Sequence, residues 1–252
     1  MFRELIYPTL YKGLEERLQS KCYIPEDYFN TPNPRYINLK NCVYDIKTGK
    51  IYPHSKNRRF TYMIPTNYNP DIDVGGFRKF VYDVVDIDKE PTIQEMFGYC
   101  LYTDYNIQKA FLFNGSGANG KDTLLYCLEK MIGDNNVSGE SLKALTEDKY
   151  APIELQHKLA NISGETPTNF KITNSDMFKS LRGGTLIAGQ RKFGQRVLFR
   201  NYAKMIFSTN KVPETNDYSY GFFRSWILVD FPNQFIGTDD NKNMNLPTQM
   251  KK

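Results

Sequence analysis

The chain has 252 residues, 40% hydrophobic and 24% charged, with a net charge of +5. That composition is globular and leaves wholesale disorder out. No apolar run reaches the roughly 18 residues of a membrane helix, and Met1-Phe-Arg-Glu lacks a signal-peptide core, so the expectation is a soluble, intracellular, cytoplasmic protein with no membrane partner. Four cysteines (22, 42, 100, 127) without a CxxC pair, and only His54 and His157, speak against zinc sites and a disulfide scaffold; buried reduced thiols are expected.

In chain order, Leu5, Leu10, Leu14 and Leu18 recur at helical spacing before Pro25, Pro32 and Pro34 break the pattern. Short strand-like pieces follow at Tyr36-Ile37-Asn38, Cys42-Val43-Tyr44-Asp45 and Lys50-Ile51-Tyr52, with Thr48-Gly49 as a hairpin turn, and Phe60 to Ile64 reads as another strand. Residues 70–76 read as a loop, and helices are predicted over 77–87 and 91–103. Ala110-Phe111-Leu112-Phe113 is a continuous apolar run, the pattern of a buried strand. A helix over 123–132 follows, then strands over 159–163, 185–188, 197–200, 203–208 and 226–231. Strands alternating with helices imply an α/β fold with a mostly parallel sheet behind a smaller N-terminal α/β or α+β domain. Boundaries are expected at 1–95, 96–235 and a polar tail over 236–252.

Gly115-Ser116-Gly117-Ala118-Asn119-Gly120-Lys121-Asp122-Thr123 lies between a predicted strand and a predicted helix and fits GxxxxGK. Glycines let backbone N–H groups wrap phosphates, the helix start adds positive potential, and Lys121 reaches the outer phosphates of a nucleotide such as ATP. A phosphate loop wants Ser or Thr after the lysine, whose hydroxyl binds Mg²⁺; here Asp122 precedes Thr123. Asp122 could bind Mg²⁺ directly or through water, it could face away while Thr123 substitutes, or the site could be weak. The bland alternative is a chance glycine-rich loop before a helix.

Between Lys171 and Lys211 nine Lys/Arg face one acid, Asp176, which makes that segment +8 and the remainder −3. Such a block suits a polyanion, or a solvated basic face. Within it, two strand patterns flank Arg191-Lys192-Phe193-Gly194, the mark of a β-hairpin with Gly194 suited to the turn and with Arg191, Lys192, Phe193 and Arg196 as cations for phosphates and an aromatic for stacking on bases or sugars.

Residues 111–235 resemble the core of superfamily-three helicases, in particular the primase-helicases of large DNA viruses, satellite phages and archaeal plasmids. The phosphate loop carries the resemblance, as do Lys158-Leu-Ala-Asn-Ile-Ser-Gly-Glu165, Gly183 to Phe199, Ala203-Lys-Met-Ile-Phe-Ser-Thr-Asn210 and Asp217 to Phe231. Upstream, Tyr36 to Gly49, Pro65 to Pro70 and Gln94 to Tyr99 are similar to the poxvirus-primase-like domain that precedes such cores. The resemblance implies an AAA+ P-loop ATPase that unwinds DNA during replication of a viral or plasmid genome, with ATP and Mg²⁺ at Gly115–Thr123. It implies that Glu165 orients Mg²⁺ and the attacking water, that Asn210 senses the γ-phosphate, and that Arg224 reaches the neighbouring subunit's site. It also implies a hexameric ring whose hairpin, through Lys192 and Phe193, grips single-stranded or forked DNA, and a primase module or other replication proteins as partners. Relatives commonly carry two acids near Glu165 and two arginines at Arg224; here Glu165 is alone and Ser225 takes the second place. Neither an upstream primase module nor a winged-helix-like segment after the core is recognisable. An ATP-binding DNA clamp or loader, a P-loop kinase of small molecules and a ring with a dead site are the rival readings.

Overall fold

The computed structural model describes residues 8–21, 33–167 and 169–235. Contacts divide the chain into two units, Met1–Pro32 and Asn33–Lys252. In the first, helix α1 (Pro8–Lys21) carries Tyr11, Leu14 and Leu18, each more than half exposed. Leu5, which the helical pattern includes, lies outside the described residues, as do Cys22 and the expected tail over 236–252.

The second unit opens with a small antiparallel sheet, β1 (Tyr36–Asn38), β2 (Val43–Asp45) and β3 (Ile51–Tyr52), in the order β1-β2-β3. Gly49 turns the β2–β3 hairpin at φ +69°, where an L side chain is strained. The strand expected over Phe60 to Ile64 does not form. Ile64 makes one bridge to Leu39, while Tyr62 and Ile64 are buried as core residues instead. Helices α2 (Gly75–Val84) and α3 (Glu90–Cys100) follow, and α2 buries Phe80, Val81 and Val84 on one face.

The centre is a five-stranded parallel sheet built from β4 (Ala110–Asn114), β5 (Val137–Ser138), β6 (Ala160–Thr166), β10 (Lys204–Thr209) and β12 (Trp226–Asp230). Its order is β12-β4-β10-β6-β5, and every neighbouring pair is parallel. All six residues of β10 are buried, which fits its unbroken apolar stretch Met205-Ile206-Phe207 rather than an alternation. Each fully buried Leu, Ile or Phe here contributes about 1.5–3 kcal/mol. Helix α4 (Lys121–Ile132) begins two residues earlier than its apolar pattern suggests, so Lys121 and Asp122 belong to its first turn. Helix α5 (Leu142–Glu147) is capped by Ser141, and α6 (Ser175–Arg182) by Asn174. Between β6 and α6, β7 (Lys171–Ile172) pairs in parallel with β11 (Glu214–Thr215). Strands β8 (Leu186–Gln190) and β9 (Arg196–Arg200) form a separate antiparallel hairpin, and α7 (Tyr220–Phe223) leads into β12. Phe178 of α6 stacks on Trp226 of β12 with ring centroids 4.4 Å apart. The fold is therefore the expected α/β class with a parallel sheet. One core runs from Ile37 to Phe231, so the small sheet and α2–α3 share it with the large sheet.

Candidate active site and strand-binding hairpin

The loop from Gly115 to Gly120 leaves the C-terminal end of β4 and enters α4, the place where open parallel sheets bind ligands. Three of its residues have left-handed backbone, Gly117 (φ +88°), Ala118 (φ +48°) and Gly120 (φ +87°). Gly115 has no room for a side chain, because a Cβ would lie 2.9 Å from the Phe231 carbonyl and collide with the Asn119 amide. A Cβ at Gly120 would strike Val84 of α2. Asn119 is buried; its Oδ1 accepts from Lys121 N–H at 3.4 Å, and its Nδ2 finds no acceptor among the described residues.

Lys121 is 5% exposed. Its ammonium donates to the Gly115 carbonyl, to the Thr209 carbonyl at 3.2 Å and to Asn210 Oδ1 at 3.1 Å. The sheet register explains the meeting: Asn114 of β4 lies opposite Thr209 of β10, and Thr209 opposite Thr166 of β6. The loop start, Asn210 and the end of β6 thus share one edge. The β10–β6 register shifts between Phe207 and Ser208, which pair with Ser163 and Glu165, so Gly164 is the extra residue of a β-bulge just before Glu165. Bulges are over-represented beside active sites, where they end or redirect a strand.

Asp122 is exposed and Thr123 half-buried, one after the other in the first turn of α4. Both are oxygen donors next to the Gly115–Gly120 loop, the donor type Mg²⁺ takes. Among the described residues no group of three or more His, Cys, Asp or Glu could hold a metal ion by itself.

Sequence reasoning missed the outer supports of the loop. Gln234 Nε2 donates to Ser116 Oγ at 2.5 Å, Phe235 N–H to the Ala118 carbonyl at 2.8 Å, and Asn233 Nδ2 to the Asp83 carbonyl at 2.9 Å. Residues 231–235 and α2 therefore brace the loop from outside. No motif announces them; only the parallel pairing of β12 with β4 brings them there.

Arg224 is not part of that edge. It precedes β12, whose Trp226 is level with Ala110, so it lies at the opposite end of the sheet, roughly 15–20 Å from the loop at about 3.3 Å per residue. It is exposed, donates to Gln108 Oε1 at 3.2 Å, and its carbonyl accepts from Lys109 Nζ at 2.5 Å. Gln108, itself at φ +56°, is held from below by Arg182, whose guanidinium donates to the Gln108 and Gly221 carbonyls at 3.3 and 3.0 Å. Ser225 is 1% exposed and its hydroxyl donates to the Phe222 carbonyl, so a second arginine has no space there.

In the β8–β9 hairpin, Gln190 pairs with Arg196, which leaves the tip at residues 191–195. The left-handed residue of the tip is Phe193 (φ +63°) rather than Gly194, whose N–H donates to the Arg191 carbonyl at 2.8 Å. Phe193 is 97% exposed, and the Lys192 ammonium lies 5.5 Å from its ring centroid. Arg191 and Arg196 are exposed beside them, Arg191 with Glu154 3.9 Å away. The basic segment as a whole is less free than its count suggests. Arg182 and Lys204 are buried, and Lys179 pairs with Asp217 at 2.5 Å.

Against known proteins, residues 13–86 match the family described as "D5 N terminal like", and residues 113–224 match a family of unknown function, DUF5906. A protein of Acanthamoeba polyphaga mimivirus named "Putative helicase" is 22% identical over 94% of this chain. Solved structures of the NrS-1 C-terminal region superpose on 95% of the chain with TM-scores of 0.63 and 0.62 at 14% identity. The NrS-1 likeness shows a shared fold, and the D5-type and mimivirus matches show similarity to viral proteins. The chain spans 26% of the length of the mimivirus protein and 57% of the NrS-1 chains. No helix among its described residues is long and apolar enough to cross a membrane.

Proposed function

We propose that the chain is the motor part of an ATP-driven DNA helicase that tracks on single-stranded DNA during replication of a viral or plasmid genome. The observation that carries this reading is the single sheet edge where the buried Lys121 ammonium meets Gly115, Thr209 and Asn210. A buried ammonium between carbonyls, beside a left-handed glycine loop and an unpartnered Asn119 amide, fits a polyphosphate that exchanges with one of those oxygens. In this reading Asn210 reports the γ-phosphate to β10, and Glu165, following the bulge, orients the attacking water. Asp122 and Thr123 would hold Mg²⁺ with Glu165; the ion's contribution is to neutralise charge on the phosphates. The hairpin, with Arg191, Lys192, Phe193 and Arg196 at its tip, would hold single-stranded DNA. Arg224, too far from its own loop, would serve the site of a neighbouring copy in a ring, which we take as a hexamer.

The test is Mg²⁺-ATP hydrolysis with and without single-stranded DNA, for wild type, Lys121→Ala and Arg224→Ala. DNA-stimulated turnover lost in both variants supports the motor. A wild type that assembles and binds DNA but does not hydrolyse ATP sinks it. A clamp or loader without unwinding is the second reading. It is favoured by Asp122 where a phosphate loop expects a hydroxyl, and strand separation on a forked duplex would exclude it.

A further inference from the structure

The small N-terminal sheet carries a second basic face. From Arg35 to Arg59 seven Lys/Arg accompany one acid, Asp45, so this stretch is +6. Taken with the +8 of residues 171–211, it leaves −9 for everything else. The lone acid is already neutralised. Arg35 grips the fully buried Asp45 through Nε at 2.9 Å and Nη2 at 2.6 Å. The sheet register places Tyr36 opposite Asp45 and Val43 opposite Tyr52, all on one face. On that face the Arg58 guanidinium packs over both rings, 4.5 Å from Tyr52 and 5.5 Å from Tyr36, while Arg35 lies 5.3 Å from Tyr36. Arg58 has no carboxylate partner among the described residues. Lys47 and Lys50, on the hairpin turn beside Asp45, are exposed and form no ion pair among the described residues.

Several like charges kept together without acids are costly unless a polyanion meets them. The two tyrosine rings are covered by guanidinium groups, so the face presents fixed cations rather than open stacking platforms. That combination suits a phosphate backbone and not splayed bases. We infer that the face formed by Arg35, Lys47, Lys50 and Arg58 binds the backbone of duplex DNA, at a site separate from the 191–196 hairpin.

The experiment is fluorescence anisotropy with a labelled DNA duplex across a salt series and without nucleotide, so that a failure of the motor reading leaves its outcome intact. The variants are Lys47→Glu/Lys50→Glu, Arg58→Gln and, as a control, Lys192→Ala. The expected result is a loss of at least about tenfold in duplex affinity for the double variant and a salt slope smaller by about 2. Both lysine side chains are exposed, so the thermal midpoint should hold and serves as the folding check. Unchanged affinity and slope in the folded double variant would overturn the proposal, as would a loss of duplex binding confined to Lys192→Ala.

Discussion

Gly120 is bound by two separate constraints. Its φ of +87° excludes ordinary side chains on torsional grounds, and Val84 occupies the place a Cβ would need. Gly120→Ala is therefore expected to strain the loop by about 1–3 kcal/mol and to cut nucleotide affinity at least about tenfold. Calorimetric titration with Mg²⁺-ATP reads it, and wild-type affinity in the variant would show that the loop does not need this backbone. Lys204 poses a different problem. It is fully buried, donating to the carbonyls of Tyr102 (2.5 Å), Asp104 (2.9 Å) and Tyr202 (2.6 Å), with Tyr99 and Tyr105 rings 4.5 and 5.1 Å away. Burial pulls its ammonium down to about 7, against the opposing pull of the nearby Cys100 and Asp104 toward the charged form. An unfolded lysine keeps its proton to about 10.4, so between the two values the unfolded state binds more protons and stability rises with pH. Wild type should gain about 2 kcal/mol over Lys204→Met between pH 7 and 9, measured by thermal unfolding. A constant gap would mean that the carbonyl cage keeps the lysine charged throughout. At this scale the glycine loop and its lysine are legible, because the pattern is local to nine residues. Lys204 enters the sequence only as one of nine cations between 171 and 211, since nothing in Ala203-Lys-Met shows that three distant carbonyls converge on it.

Elements were legible in proportion to their length and burial. The apolar runs of β4 and β10 declare themselves, whereas β5, α5 and α6 are short and depend on caps such as Ser141 and Asn174. The Phe60 to Ile64 stretch shows the converse: it runs beside the outer edge of β1 with a single bridge, Ile64 to Leu39, and its Tyr62 and Ile64 plug the core. The hairpin was readable, but its turn was not: Phe193, not the glycine, takes the left-handed place and is thereby thrust outward. A nearly fully exposed phenylalanine has no packing role, so Phe193→Ala should leave the unfolding free energy within about 0.5 kcal/mol of wild type. It should weaken single-strand binding by about 1–3 kcal/mol if one base stacks there. Titration of labelled single-stranded DNA decides; equal affinity for wild type and Phe193→Ala would remove the ring from the contact.

At the scale of the molecule, the decisive fact is polarity. A parallel sheet has distinct ends, and the chain spends them differently: Lys121 and Asn210 at one, Arg224 at the other. The motif order in sequence could not show this, since it gives spacing along the chain but not which sheet edge each strand end reaches. No flexing of β12 within one subunit closes such a gap. A shared site needs a head-to-tail neighbour, the heterologous arrangement that closes into rings. The consequence is a complementation test. Lys121→Ala and Arg224→Ala should each be inactive alone, because every site then lacks one partner. Mixed in equal amounts and allowed to exchange subunits, they should recover about a quarter of wild-type hydrolysis, since one interface in four pairs an intact Lys121 with an intact Arg224. If the mixture stays as inactive as its components while wild-type subunits demonstrably exchange, Arg224 does not act across an interface, and the arginine serves the fold around Gln108 instead.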